Sequence, residues 1–254
     1  MVNTNAGLSY RVNGEGKIIV FLHGFLESSS IWTEIIPHIQ AKSISIDLPG
    51  HGDSKKSPVG TITDIAKRIV QLISVVSDGD YEIVGHSMGG YVALEVIKQD
   101  PNCKRITLMN SNFWTDSAQK KTDRLRTCEV VRKNKPLFIK EVIPNLFSKA
   151  PRSVIDALIQ EANEIDSDVI IESSLAMINR PNNSELAINL KNELTLIQGI
   201  DDRVMDVELM RNQREKLNAN YIEVPGGHMS WYEARKEVIQ ILNKKNGNLS
   251  FRYH

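Results

Sequence analysis

The pentapeptide Gly85-His86-Ser87-Met88-Gly89 sets a serine between two glycines, with an apolar stretch before it and a helical pattern after it. A turn that sharp needs small neighbours. The glycines let strand and helix approach, and the strained serine projects its hydroxyl above the sheet edge. An ordinary Gly/Ser turn could carry the same letters; the strand and helix on either side favour an exposed nucleophile, which needs a base to activate it.

Six histidines are available. His38 falls in an expected helix, His51 in a Pro-Gly-His-Gly turn and His254 in the tail, while His23 and His86 sit beside turns as structural groups. His228, in Pro225-Gly226-Gly227-His228-Met229, follows the expected strand Tyr221 to Val224 and would stand at the same carboxyl edge as Ser87. A base of this kind needs a carboxylate to fix its tautomer and stabilise the imidazolium. Gly199-Ile200-Asp201-Asp202, just after the strand Leu194 to Ile197, offers two aspartates, either able to serve. For an oxyanion the Met88 N–H is available at a helix start, where the dipole also favours negative charge. A second donor is expected from His23-Gly24-Phe25, as the Phe25 N–H. The Phe25 side chain, with Trp114 and Met88, suits an apolar substrate pocket, although plain core packing explains Trp114 equally well.

The elements that would position these groups alternate. Leu8–Val12 and Ile18–Leu22 read as strands about a turn at Asn13-Gly14-Glu15-Gly16, and Ser43–Asp47 alternates at period two. Thr61–Val76 has helical spacing, with Thr63 and Asp64 as capping or dipole-matching groups. Tyr81–Val84 (strand), Tyr91–Lys98 (helix) and Arg105–Met109 (strand) follow, then Leu194–Ile197, Val207–Leu217, Tyr221–Val224 and Ser230–Lys244 as strand, helix, strand, helix. This order predicts an α/β fold with a mostly parallel sheet covered on both faces. From Asn112 to about Leu190 no strand pattern occurs, and apolar pairs recur at helical intervals. Such a length cannot be structureless inside a compact domain. The expected organisation is a core of residues 1–111 and 191–254 with a helical cap, 112–190, inserted between two strands.

Composition narrows the classes. Lys plus Arg is 31 and Asp plus Glu is 31 across 254 residues, which argues against a nucleic-acid binder whose affinity comes from neutralising phosphates. No apolar run approaches the roughly 18 residues of a membrane helix. Met1 to Ser9 lacks the features of a secretory signal, so a cytoplasmic, reducing address is expected. Cys103 and Cys128 fit neither a disulfide framework nor a zinc site. Gly14-Glu15-Gly16 precedes a strand, without the context of a dinucleotide loop, so no cofactor is expected. The cap is lopsided in charge: Lys120 to Arg152 holds ten basic against three acidic residues, whereas Ser153 to Leu175 holds six acidic residues and no Lys or Arg. The simpler reading is two segments whose charges pair or face water; the sharper one is a basic mouth that steers an anionic substrate or an acidic acyl carrier.

Phe21-Leu22-His23-Gly24-Phe25, Asp47-Leu48-Pro49-Gly50-His51-Gly52-Asp53-Ser54, Gly85-His86-Ser87-Met88-Gly89-Gly90, Gly199-x-x-Asp202 and Gly227-His228 together resemble the successive signatures of the α/β-hydrolase superfamily. The resemblance runs from about Tyr10 to Leu242, with the cap lacking recognisable motifs. It implies the α/β-hydrolase fold, a Ser87, Asp202, His228 triad in the expected chain order, and a structural role for the Asp-Leu-Pro-Gly-His-Gly turn. It selects Asp202 over Asp201. Ser87 argues against the relatives with an aspartate nucleophile, the haloalkane dehalogenases and epoxide hydrolases. The chain is similar to small bacterial carboxylesterases, which implies hydrolysis of a small acyl ester or thioester through an acyl-serine. It also resembles the menaquinone-pathway lyase, although Tyr91 stands where that family carries arginine. A third class on this fold, the ligand-binding receptor with slow or no turnover, keeps the same residues.

Overall fold

The computed structural model describes residues 2–54 and 57–244. Eight strands form one sheet in the order β1-β2-β4-β3-β5-β6-β7-β8: Asn3–Asn5, Leu8–Asn13, Ile18–Leu22, Lys42–Ile46, Tyr81–His86, Cys103–Met109, Leu194–Gly199 and Asn220–Val224 are β1 to β8. The β1–β2 and β2–β4 pairs are antiparallel and the others parallel, so the expected mostly parallel sheet is present with an antiparallel edge. β1, too short and polar to read as a strand, completes that edge.

Both faces are covered, as parallel sheets require. Along β3, Val20 and Leu22 enter one apolar layer while Ile19 and Phe21 enter the other. The first layer is closed by α1 (Ile62–Val76), which buries Ile62, Ile65, Ala66, Ile69, Leu72 and Ile73, and by α2 (Met88–Gln99). Its capping box joins Thr61 and Asp64; Thr63, expected as a cap, instead turns its hydroxyl to Glu95 Oε2 at 3.1 Å. In the second layer Trp32 is fully buried against Phe21, with ring centroids 5.3 Å apart.

Helix α2 starts at Met88, three residues before the pattern suggested, because its first turn holds Gly89 and Gly90, poor helix formers kept for close approach. The last expected helix is two: α8 (Ser230–Glu233) and α9 (Arg235–Asn243) are separated at Ala234, whose ψ of 34° leaves the helical range. Between them and β7 lies α7 (Val207–Arg214), shorter than expected at its C-terminal end.

Among the described residues the chain between β6 and β7 holds helices and no strand: α3 (Ala118–Val142), α4 (Arg152–Asn163), α5 (Ser167–Ile178) and α6 (Ser184–Leu190), with a short 3-10 turn, Ile143–Leu146, after α3. α3 is kinked. Asn134 leaves the helical region two residues before Pro136, and its Oδ1 accepts the Leu137 N–H at 3.1 Å, so it caps the second half. No helix among the described residues is long and apolar enough to cross a membrane.

Candidate active site

Ser87 sits between β5 and α2 with φ 49° and ψ −115°, a left-handed conformation that a side-chain-bearing residue adopts only when its surroundings impose it. Here they do: its N–H donates to the Met109 carbonyl at 3.0 Å, and its carbonyl accepts the Ser111 hydroxyl at 2.7 Å. A Cβ on Gly89 would lie 2.5 Å from the His23 carbonyl oxygen, so helix and β3 loop can approach this closely only around glycine.

His228 follows β8, and its Nε2 lies 2.9 Å from Ser87 Oγ. Its Nδ1 lies 2.9 Å from Asp202 Oδ2, on the loop after β7. Side chains separated by 141 and 26 residues thus meet in one relay. Asp202 is buried, which alone would push its carboxyl up. The His228 imidazole and hydrogen bonds from His228, Asn110 and the Met205 amide outweigh burial and hold it well below the usual range. The second oxygen takes the Val204 and Met205 amides at 2.8 and 3.0 Å. Asp201, the alternative by sequence, is exposed, and its Oδ2 takes the Ser148 hydroxyl at 3.2 Å.

Sequence reading missed the groups that hold this acid. Asn110 Nδ2 donates to Asp202 Oδ2 at 2.8 Å and to the Gly227 carbonyl at 3.1 Å, tying the acid loop to the base loop. Gln198 Nε2 adds a third donor at 3.1 Å. The positive φ of Asn110, 46°, just after β6, is a conformation asparagine tolerates, but no local pattern marks it.

Met88 is the first residue of α2, where the leading N–H groups lack intrahelical acceptors. In the β3 loop the Gly24 N–H is committed to Glu27 Oε2 at 2.5 Å, leaving Phe25 as the next amide along. The half-buried Phe25 side chain packs on both apolar layers, as does Val169 of α5; Trp114, also half-buried, stands edge-on to Phe113 at 5.0 Å. Arg180, which follows α5, lies 4.2 Å over the ring of Tyr91.

The remaining histidines fall elsewhere. His23 Nε2 accepts the Leu48 N–H at 2.9 Å, His51 Nδ1 donates to the Pro49 carbonyl at 2.9 Å, and both are buried. Burial lowers both imidazoles, His51 to about 3, with His23 adding to the effect there. His38 ends a short 3-10 turn, and its carbonyl accepts from Asn243 at 2.8 Å. His254 lies outside the described residues.

The helical segment reaches this edge at two places. The His228 N–H donates to the Leu146 carbonyl at 2.9 Å, and Glu233 accepts both the Gly227 and Lys149 amides, at 2.8 and 2.5 Å. Across the site, Glu161 of α4 accepts the Ser30 hydroxyl at 2.8 Å and the Ser28 hydroxyl. Among the described residues no cluster of three or more His, Cys, Asp or Glu side chains is arranged to hold a metal.

This geometry sits on a recognised scaffold. The family model described as alpha/beta hydrolase fold matches residues 17–127. The chain superposes on the thermophilic esterase of Thermogutta terrifontis with a TM-score of 0.83 and 23% identity, over 92% of this chain and 91% of that one. The chain has the α/β-hydrolase fold. Among curated relatives it is 34% identical over 116 residues to a putative 2-succinyl-6-hydroxy-2,4-cyclohexadiene-1-carboxylate synthase of Haemophilus influenzae, covering 42% of this chain and 46% of the relative. It is 39% identical over 93 residues to the chloroplastic protein PHYLLO of Arabidopsis thaliana, covering 32% of this chain and 5% of the relative. The aligned stretch is therefore less than half the length of either curated relative.

Proposed function

We propose that this protein is a serine hydrolase that cleaves a small carboxylic ester or thioester through an acyl-serine. The observation that carries the reading is the relay, with His228 Nε2 2.9 Å from Ser87 Oγ and Nδ1 2.9 Å from Asp202 Oδ2. As Ser87 Oγ bonds to the acyl carbon, its proton passes to His228 Nε2 and the carbonyl electrons move onto oxygen. The Met88 and Phe25 amides receive that oxyanion. Collapse expels the alkoxide or thiolate, which takes the proton from His228. Water then attacks the acyl-serine, giving a proton to His228 that returns to Ser87 as the acid leaves. Asp202, held deprotonated, keeps Nδ1 protonated and Nε2 free to accept.

Ser87→Ala should abolish turnover of p-nitrophenyl acetate and butyrate, by about 10⁶ in kcat, while leaving the circular dichroism spectrum unchanged. Turnover that survives the substitution would refute the assignment. Sustained multiple turnover by the wild type also separates an enzyme from a ligand-binding receptor, which gives at most a stoichiometric burst. A second reading, carbon–carbon lyase chemistry with the same residues, is favoured by the identity to the putative synthase. An enzyme inert to esters and thioesters alike would support that alternative.

A further inference from the structure

Beneath the three loops of the site lies a buried ion pair that the relay does not use. The Glu27 and His86 side chains are each 1% exposed. Glu27 Oε2 accepts the Gly24 N–H at 2.5 Å and His86 Nδ1–H at 2.9 Å. The other ring nitrogen of His86, Nε2, donates to the main-chain carbonyl of His228 at 2.9 Å. A carboxylate oxygen at one ring nitrogen and a carbonyl at the other suit an imidazolium on a carboxylate, the direction in which both groups are shifted. Burial alone would lower the His86 pKa, but Glu27, the His228 carbonyl and Asp202 outweigh it and raise it. Burial likewise pushes Glu27 up, and His86, the Gly24 amide and His23 bring it down.

Stability does not explain this pair. Glu27 Oε1 has no protein partner, and a half-satisfied buried carboxylate is expensive. Apolar residues of similar volume often replace such pairs with no loss. What the pair does achieve is geometric. It touches the loop after β3 that carries Phe25, the turn that carries Ser87, and the loop after β8 that carries His228.

Building on the serine-hydrolase reading, we propose that Glu27 is a positioning residue which, through His86, brackets the oxyanion, nucleophile and base loops into one arrangement. The bracket depends on charge as well as shape. In Glu27→Gln the side-chain carbonyl can accept from Gly24 and His86 Nδ1–H, but a neutral His86 then presents a bare Nε2 to the His228 carbonyl. If the amide flips to donate to Nδ1, the Gly24 N–H loses its acceptor. Either way one loop is released.

The test uses Glu27→Gln and the charge-free double variant Glu27→Met/His86→Leu. Both are expected to fold, the double at wild-type Tm or above. Each should lose about 100-fold in kcat on p-nitrophenyl butyrate with KM within about 3-fold, the scale of losing one oxyanion donor. Affinity for a trifluoromethyl ketone, which forms a tetrahedral adduct, should fall in parallel. Deuterium uptake should rise in peptides spanning 22–28 or 226–230. A folded variant with wild-type kcat and unchanged uptake in both peptides overturns the bracket. If Glu27→Gln does not fold, the double variant decides by the same criteria. If the wild type hydrolyses neither esters nor thioesters, the serine-hydrolase reading fails by itself, and unchanged deuterium uptake in the variants would separately sink the positioning role.

Discussion

The sheet edge that carries Ser87 buries its titratable side chains, whereas the helical segment between β6 and β7 exposes many of its charges. At the edge, Asp202, His228, Glu27, His86, His23 and His51 are all buried, and each has a hydrogen-bond partner fixed by the loops. In the segment, Arg126, Arg132, Lys133 and Lys140 of α3 and Asp168 and Glu172 of α5 are exposed. Those charges that do pair often do so locally, as Arg132 with Glu129 and Arg152 with Asp156, at 2.9 and 2.8 Å. Exposed pairs of that kind contribute little to stability. Buried groups respond to pH and to single-atom changes; exposed ones respond to salt. The two regions should therefore answer to different probes, the edge to pH and the segment to salt.

The edge is therefore where one atom should matter most. Asp202→Asn keeps the shape but offers His228 Nδ1 a side chain that can donate, favouring the wrong tautomer. We expect kcat to fall about 10⁴-fold with KM little changed, measured on p-nitrophenyl butyrate. A loss below tenfold would mean that the Asn110 and Gln198 network, and not the carboxylate charge, orients the imidazole.

The edge should also govern acid stability. His51 is held neutral by burial, with its pKa pushed down to about 3. Unfolded, the same imidazole titrates near 6.5, so between those values the unfolded state binds the extra proton. Stability then rises with pH across that window and is lost as pH falls through it, by up to about 4–5 kcal/mol at the acid end. His51→Asn, whose amide can still donate to the Pro49 carbonyl, should flatten the fall in Tm between pH 6 and pH 4. A parallel slope in wild type and variant would exclude His51 as the cause.

How much of this was legible follows the same division. Ser87 and His228 each sit in a short motif at the end of a strand, where local spacing carries the signal; spacing alone leaves Asp201 and Asp202 open, and the family resemblance selects Asp202. Phe25 and Met88, proposed as oxyanion donors, could be named from their places in the loop after β3 and the first turn of α2. Asn110, Gln198 and Glu27 could not, because their roles exist only once β6, β7 and the β3 loop are adjacent, and each looks like an ordinary polar residue in its own neighbourhood. The kink at Asn134 is foreshadowed by Pro136, yet the apolar pairs around it continue at helical spacing and hide the break. In the helical segment the charge asymmetry is visible in the letters, but which charges pair is not: Asp116 binds both Arg124 and Arg180, and Lys135 is spent on the carbonyls of Asn163 and Ile165.

That pairing sharpens the smallest of the expected effects. Of the ten basic residues from Lys120 to Arg152, several are internally committed: Arg124 to Asp116, Lys120 to the Val204 carbonyl and Lys135 to the end of α4. Arg126, Lys133, Lys140 and Lys149 remain exposed. If they act as a basic mouth, they do so at long range, by raising the encounter rate of an anionic substrate, and salt should screen that effect over a Debye length of about 8–10 Å. For a hemisuccinate ester kcat/KM should then drop about two- to fivefold between 20 and 300 mM NaCl, while a neutral butyrate ester changes little, and kcat alone should not move for either. Arg126→Gln/Lys133→Gln should remove the difference between the two esters without touching turnover of the neutral one. Equal salt dependence for both esters in the wild type would reduce the exposed basic face to a solvated surface.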